Sequence, residues 1–302
     1  MRRRNFLKTV AGAGAAGLAA PSAPAAGTLK KGVSIWCFPG KTPVREAMKK
    51  AKEAGFDGIE LAFAERGEVG FEATPDQMRQ LVQDARSTGI EISGLATGDL
   101  WTYPLSSADP KEVERGKAII RKMLELAEGL SVDAILIVPA LVGRGTSPQM
   151  TVRYETAWQR STDAIRELLP VAQKHRVVMG VENVWNRFLL SPLEMRSYVD
   201  QFGSPWVRAY LDIGNVLRFG YAQDWILTLG PRIKRVHVKD FNMGKDAFVN
   251  LLEGDLDWPA AIAALRQVGF QGYLTAELSP HRAAPDLLLW NTSKALDYIV
   301  AM

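Results

Sequence analysis

The chain has 302 residues, 47% of them hydrophobic and 23% charged, a globular composition with room for one large α/β barrel or two ordinary domains. Its formal charge of +4 comes from residues 1–25, where Arg2, Arg3, Arg4 and Lys8 stand without an acid; the remainder carries 33 basic and 33 acidic residues. That balance removes the electrostatic footprint expected of a nucleic-acid-binding protein, and a single cysteine, Cys37, excludes an internal disulfide.

Residues 1–25 read as a separate segment. A basic head is followed by an Ala/Gly-rich run from Val10 to Ala20 and by Ala23-Pro24-Ala25, the layout of a secretory signal with a small-residue cleavage site. The Arg3-Arg4-Asn5-Phe6-Leu7-Lys8 core resembles a twin-arginine signal. This predicts export of a folded protein to the periplasm and cleavage near Ala25, leaving 26–302 as one catalytic domain. The apolar run is too short and too glycine-rich to span a bilayer, so no stable membrane insertion is expected.

From residue 33 onward, strand-like and helix-like stretches alternate eight times. Short apolar runs predict strands at 33–38, 58–61, 91–96, 134–138, 177–182, 207–212, 233–238 and 273–277. Amphipathic stretches between them predict helices at 42–54, 74–88, 109–129, 151–175, 191–202, 223–229, 258–268 and 285–299. Thr74-Pro75 and Ser191-Pro192 are helix starts with a cap before a proline, and Gly89 and Gly269 stand where helix ends favour glycine. Eight βα units over this length predict a single (β/α)8 TIM barrel. The open doubly wound sheet is disfavoured, because Phe38-Pro39-Gly40-Lys41 is no nucleotide-binding glycine turn. Cys37, in an apolar run, is read as a buried, inert thiol.

Glu182, Asp212, His237 and Glu277 each stand at the C-terminal end of a predicted strand, 25 to 40 residues apart. In a parallel barrel such ends share one mouth. Three carboxylates around one imidazole raise one another's pKa unless a cation joins them, and this oxygen-plus-imidazole set suits one divalent ion: manganese first, with magnesium, cobalt or zinc as alternatives. Taken singly, the residues have plainer readings. Glu182 and Glu277 are able to pair with lysine or arginine, Asp212 to cap a turn and His237 to be structural. Those readings require four coincidences of position.

Val181-Glu182-Asn183-Val184-Trp185-Asn186, Leu211-Asp212-Ile213-Gly214-Asn215, Val236-His237-Val238-Lys239-Asp240, Leu252-Glu253-Gly254-Asp255 and Thr275-Ala276-Glu277 resemble the sugar phosphate isomerase/epimerase family. This is the xylose isomerase-like barrel group, with the ketose 3-epimerases and L-ribulose-5-phosphate 3-epimerases. The resemblance implies that Glu182, Asp212, His237 and Glu277 hold the metal. It also implies that Glu182 and Glu277 act as an acid/base pair on opposite faces of a ketose or keto-sugar, through a cis-enediolate.

Asn215, Lys239, Glu60, Trp185 and His281 are candidate substrate contacts. Asn215 stands where some ketose epimerases have histidine. Lys239 suits an enediolate or substrate oxygen, against a salt bridge with Asp240 or Glu253; Glu60 suits a sugar hydroxyl, against a barrel arginine. Trp36, Trp101, Trp185 and Phe188 suit the apolar faces of sugars or the core. His281 lies in the loop after the last strand, but no glycine-rich anion nest accompanies it. With export, this predicts an unphosphorylated substrate. His175 reads as a helix C-terminal residue.

Three alternatives follow from the same residues. One is an exported lyase or hydrolase using the same chemistry on 3-keto-glycosides or inososes. Another is an apurinic endonuclease, disfavoured by having three histidines in all. The last is a non-catalytic sugar-binding barrel. A homo-oligomer is compatible with the sequence.

Overall fold

The computed structural model describes residues 28–145 and 147–302; the leader expected at 1–25 lies outside them. In chain order the elements are β1 (Leu29–Ser34), α1 (Val44–Ala54), β2 (Gly58–Phe63), α2 (Pro75–Thr88), β3 (Glu91–Thr97), α3 (Pro110–Gly129), β4 (Ala134–Ile137) and α4 (Tyr154–His175). They continue as β5 (Val178–Glu182), α5 (Pro192–Asp200), β6 (Val207–Asp212), α6 (Ile213–Val216), α7 (Ala222–Leu229), β7 (Ile233–Val238), β8 (Asp240–Asn242), β9 (Ala247–Val249), α8 (Trp258–Gln267), β10 (Gly272–Ala276) and α9 (Pro285–Ala301).

Eight parallel strands close into a barrel in the order β1-β10-β7-β6-β5-β4-β3-β2, which confirms the (β/α)8 class. β4 and β5 are buried along their whole length, as strands covered on both faces must be. Local signals act as expected: Thr74 and Gln77 form a capping box at α2, Ser191 caps α5, and Gly89 ends α2 at φ +75°. His175 closes α4 with Nδ1 2.7 Å from a Glu128 carboxylate oxygen. Among the described residues no helix is long and apolar enough to cross a membrane.

Two departures from the expected elements bear on the site, besides the one-turn helix α6 that follows β6 directly. The first strand begins at Leu29 rather than 33, and Ile35–Cys37 forms a 3-10 turn that the Ser34 hydroxyl caps by accepting from Trp36 N. The second is the antiparallel hairpin of β8 and β9, inserted between β7 and α8. Its base is fixed by Asp240, wholly buried, whose carboxylate accepts from the backbone N–H groups of Phe241, Leu252 and Leu256 at 2.9, 3.0 and 3.2 Å and from Trp258 Nε1 at 3.0 Å. Gly254 is required beside it, since a Cβ there collides with that carboxylate.

Cys37 is buried beneath the mouth, its thiol 3.4 Å from the Ala276 carbonyl and accepting from Leu278 N at 3.2 Å. Burial pushes the thiol up to about 12, so it stays protonated and unreactive at neutral pH.

Candidate active site

The barrel register brings the expected residues level with one another. Asp212 is opposite His237 across β6 and β7, and His237 is opposite Thr275 across β7 and β10. Glu277 follows β10 and Glu182 ends β5, so the two glutamates approach from either side of His237 and Asp212. One ligand atom from each of Glu182, Asp212, His237 and Glu277 lies within 4.8 Å of all the others.

His237 Nδ1 faces this cluster, 3.2 Å from both Glu182 Oε1 and Glu277 Oε2. Its Nε2 points the other way, 2.9 and 3.1 Å from the two oxygens of Glu60. Glu60 also accepts from the Tyr210 hydroxyl. Glu60 is 0% exposed and does not reach the cavity, which corrects its placement as a sugar contact: it sits behind the imidazole. With Nε2–H donated to Glu60, Nδ1 is the nitrogen turned toward the cluster, where a cation would take the place of its proton.

Lys239 also departs from its expected partners. Its ammonium lies 2.9 Å from Asp212 Oδ2 and 2.6 Å from Glu277 Oε2, while Asp240 serves the hairpin and Glu253 accepts from Asn250. Gly214 permits this approach, because a Cβ there would lie 2.7 Å from the Lys239 carbonyl oxygen. Asp212 is fixed at both ends: Oδ1 accepts from Asn215 N at 2.8 Å, and its backbone exchanges two hydrogen bonds with the Asn183 side chain. Asn215 lines the cavity, but its side-chain amide donates to the Asn183 carbonyl at 3.0 Å, so part of its capacity braces the β5 and β6 loops.

The cavity above these groups has a volume of about 340 Å³. Glu182, Glu277 and Lys239 line it with Trp36, Trp101 and Trp185. Phe188 is instead buried in an aromatic cluster with Tyr154, Trp158 and Tyr198. His281 lines an adjoining chamber with Glu253 and Asn250.

The electrostatics reflect crowding. Four buried or half-buried carboxylates (Glu60, Glu182, Asp212, Glu277) face two cationic groups, Lys239 and a protonated His237, leaving an excess of negative charge. Burial raises the Glu182 carboxyl to about 7 against the opposing pull of His237. Burial also works to raise Glu277, but the Lys239 ammonium and His237 outweigh it and hold that carboxyl well below the usual range. Burial would lower His237, yet Glu60 and its neighbours hold it well above its ordinary value. Asp212 Oδ2 is buried without a well-formed hydrogen bond despite its ion-pair distance to Lys239. An under-satisfied oxygen, an imidazole nitrogen whose proton a cation would displace, and surplus carboxylate fit a divalent cation.

Replacing Glu60 with glutamine removes the charge behind His237 and is expected to weaken metal affinity by about 10–100-fold, the usual cost of losing a partner that orients a ligating histidine. Competition with a chelator measures it, and an affinity equal to the parent's would show that Glu60 does not orient the imidazole.

A family model for the xylose isomerase-like TIM barrel matches residues 48–294. The L-ribulose-5-phosphate 3-epimerase UlaE of Escherichia coli O1:K1 is 25% identical over 259 residues, spanning 85% of this chain and 88% of that one. Among solved structures, a D-psicose 3-epimerase from Clostridium cellulolyticum H10, determined with D-tagatose, superposes with a TM-score of 0.74 at 20% identity, covering 89% of this chain and 97% of its own. The 3-keto-D-glucoside 4-epimerase YcjR of E. coli superposes with a TM-score of 0.69 at 17% identity, covering 91% and 99%.

Proposed function

Because the chain belongs to the xylose isomerase-like TIM barrel family, we propose that it is a metal-dependent sugar epimerase acting on a ketose or keto-sugar derivative. The observation that carries this reading is the convergence of Glu182, Asp212, His237 and Glu277 within 4.8 Å at the floor of a tryptophan-walled cavity. The names of the similar proteins, 3-epimerases and a 4-epimerase of keto-sugars, support inversion of a carbon beside a carbonyl.

Glu182, Asp212, His237 and Glu277 are the residues that would hold the ion, with manganese suited to this donor set. When bound, it supplies Lewis acidity toward the substrate's carbonyl and neighbouring hydroxyl oxygens. The protein's own groups do the rest. Trp36 and Trp101 line the cavity with Trp185 and give the C–H faces of a sugar an apolar wall, while the Trp185 ring faces are already taken by Phe248 and the Arg218 guanidinium.

Glu182 and Glu277, on opposite sides of the centre, reach the two faces of the reacting carbon. One carboxylate takes the proton from that carbon, and the C–H electron pair moves into the adjacent carbonyl. The other, which enters the step as its carboxylic acid, donates a proton on the far face, so the configuration inverts, the two groups exchange protonation states and the composition is unchanged. Lys239, beside Glu277 and Asp212, keeps the negative charge of the pair tolerable while a proton is away.

The test is a screen of free ketoses and keto-glycosides in heavy water with metal-loaded protein, followed by NMR. The expected product is the epimer of one substrate with deuterium at one carbon. Release of a glycosyl or hydroxyl leaving group in place of an epimer would favour elimination, and the absence of both product and exchange across the panel would overturn the reading.

A further inference from the structure

The loop carrying the β8–β9 hairpin builds a second chamber beside the reaction centre. It has a volume of about 530 Å³ and shares Trp36, Lys239, Phe248 and Glu277 with the first cavity. The inner cavity alone, at about 340 Å³, already falls within the size of a small-molecule site. One sugar ring above the carboxylates leaves the outer chamber free.

Its walls are fixed. Phe248 stacks on Trp185 with ring centroids 4.7 Å apart and planes 20° apart, and the Arg218 guanidinium lies over the Trp185 ring at 3.9 Å. Arg218 also pairs with Asp246 in the hairpin turn. The four donors gathered by Asp240 hold the hairpin's base. Phe248 is nevertheless 40% exposed, so a ring edge remains open to the chamber.

The remaining lining is a mixture of donors and acceptors: the Asn250 amide, the Glu253 carboxylate, Ser279 and the His281 imidazole. Such a set matches sugar hydroxyls, each of which donates and accepts. It does not match a phosphate. Of the lining residues only Lys239 carries an ammonium and none a guanidinium, and that ammonium is already paired with Asp212 at 2.9 Å and Glu277 at 2.6 Å. Glu253 and Glu277 would repel a dianion placed between them.

We infer that the chamber lined by Phe248, Asn250, Glu253, Ser279 and His281 is a second sugar subsite, and that the substrate is an unphosphorylated two-ring compound: a keto-sugar at the carboxylates bearing a glycosyl unit in the outer chamber. The inference rests on the proposed epimerase reading for the identity of the inner ring.

Calorimetric titration of the metal-loaded protein tests it with five probes. These are D-fructose, D-fructose 6-phosphate, and maltulose, leucrose and isomaltulose, which carry a glucosyl unit at three different positions of fructose. At least one disaccharide is expected to bind about 10-fold or more tighter than fructose, the equivalent of one or two net hydrogen bonds. Asn250→Ala and Glu253→Ala, at unchanged metal content, should bring that ratio down toward one. If no disaccharide binds more tightly than fructose, or if fructose 6-phosphate binds most tightly, the subsite as described is wrong. Deuterium exchange on fructose without any disaccharide preference would sink the subsite and leave the epimerase reading standing. Disaccharide preference without exchange on any probe would do the reverse.

Discussion

Asp212→Ala and His237→Ala are each expected to release the metal and to lower turnover by about a thousand-fold or more. Lewis-acid stabilisation is worth several kcal/mol, and each ~1.4 kcal/mol is a factor of ten in rate. The two variants should differ in stability. In Asp212→Ala, the Asn215 N–H loses the oxygen it donates to at 2.8 Å, and Lys239 keeps Glu277 as its partner. In His237→Ala, buried Glu60 is left with the Tyr210 hydroxyl alone. Breaking a buried charged pair costs roughly 3–5 kcal/mol, so His237→Ala should melt at the lower temperature. Elemental analysis and thermal denaturation together check this. Parent metal content in both variants would remove these residues as ligands.

The second large effect concerns the glutamates. Glu182→Gln and Glu277→Gln keep the side-chain volume and an oxygen but cannot take a proton. Turnover in each should fall by about 10²–10⁴-fold, the ordinary contribution of a general acid or base, with part of the metal retained. The variants should not be equivalent. Starting from one epimer, only one glutamate removes the proton, so solvent exchange at the substrate carbon should survive in one variant and vanish in the other. Starting from the opposite epimer, the order should reverse. Equal losses of metal, stability and exchange in both variants would assign the glutamates a structural role instead.

The barrel was legible because strands covered on both faces leave near-continuous apolar runs, and in a parallel barrel each such run ends at the same mouth. The positions of Glu182, Asp212, His237 and Glu277 could therefore be read from four strand ends. The start of β1 was obscured by Lys30 and Lys31. Their ammonium groups pair with Glu91 at 2.8 Å and Asp297 at 2.5 Å, partners 61 and 266 residues away that no local pattern reveals. The hairpin was missed for a related reason. Its strands are three residues each, and the donors that fix it converge on Asp240 from as far as Trp258. The misplacement of Glu60 follows from geometry. It lies on a strand across the barrel from β7, so only the closed barrel shows it facing the back of His237. Tyr210 carried one available signal, an interior tyrosine in an apolar strand, since a buried hydroxyl needs a partner.

The central claim is that one cation, held by the four strand-end residues, makes the two glutamates effective on a carbon beside a carbonyl. It is tested most directly by stripping the protein of metal and returning manganese in measured increments, while NMR follows deuterium uptake into the ketose or keto-glycoside that serves as substrate. The expected result is no exchange in the stripped protein, then a rate that rises with added metal and levels off at one equivalent per chain. Exchange that proceeds at full rate without metal, or that levels off only at two or more equivalents, would contradict the account.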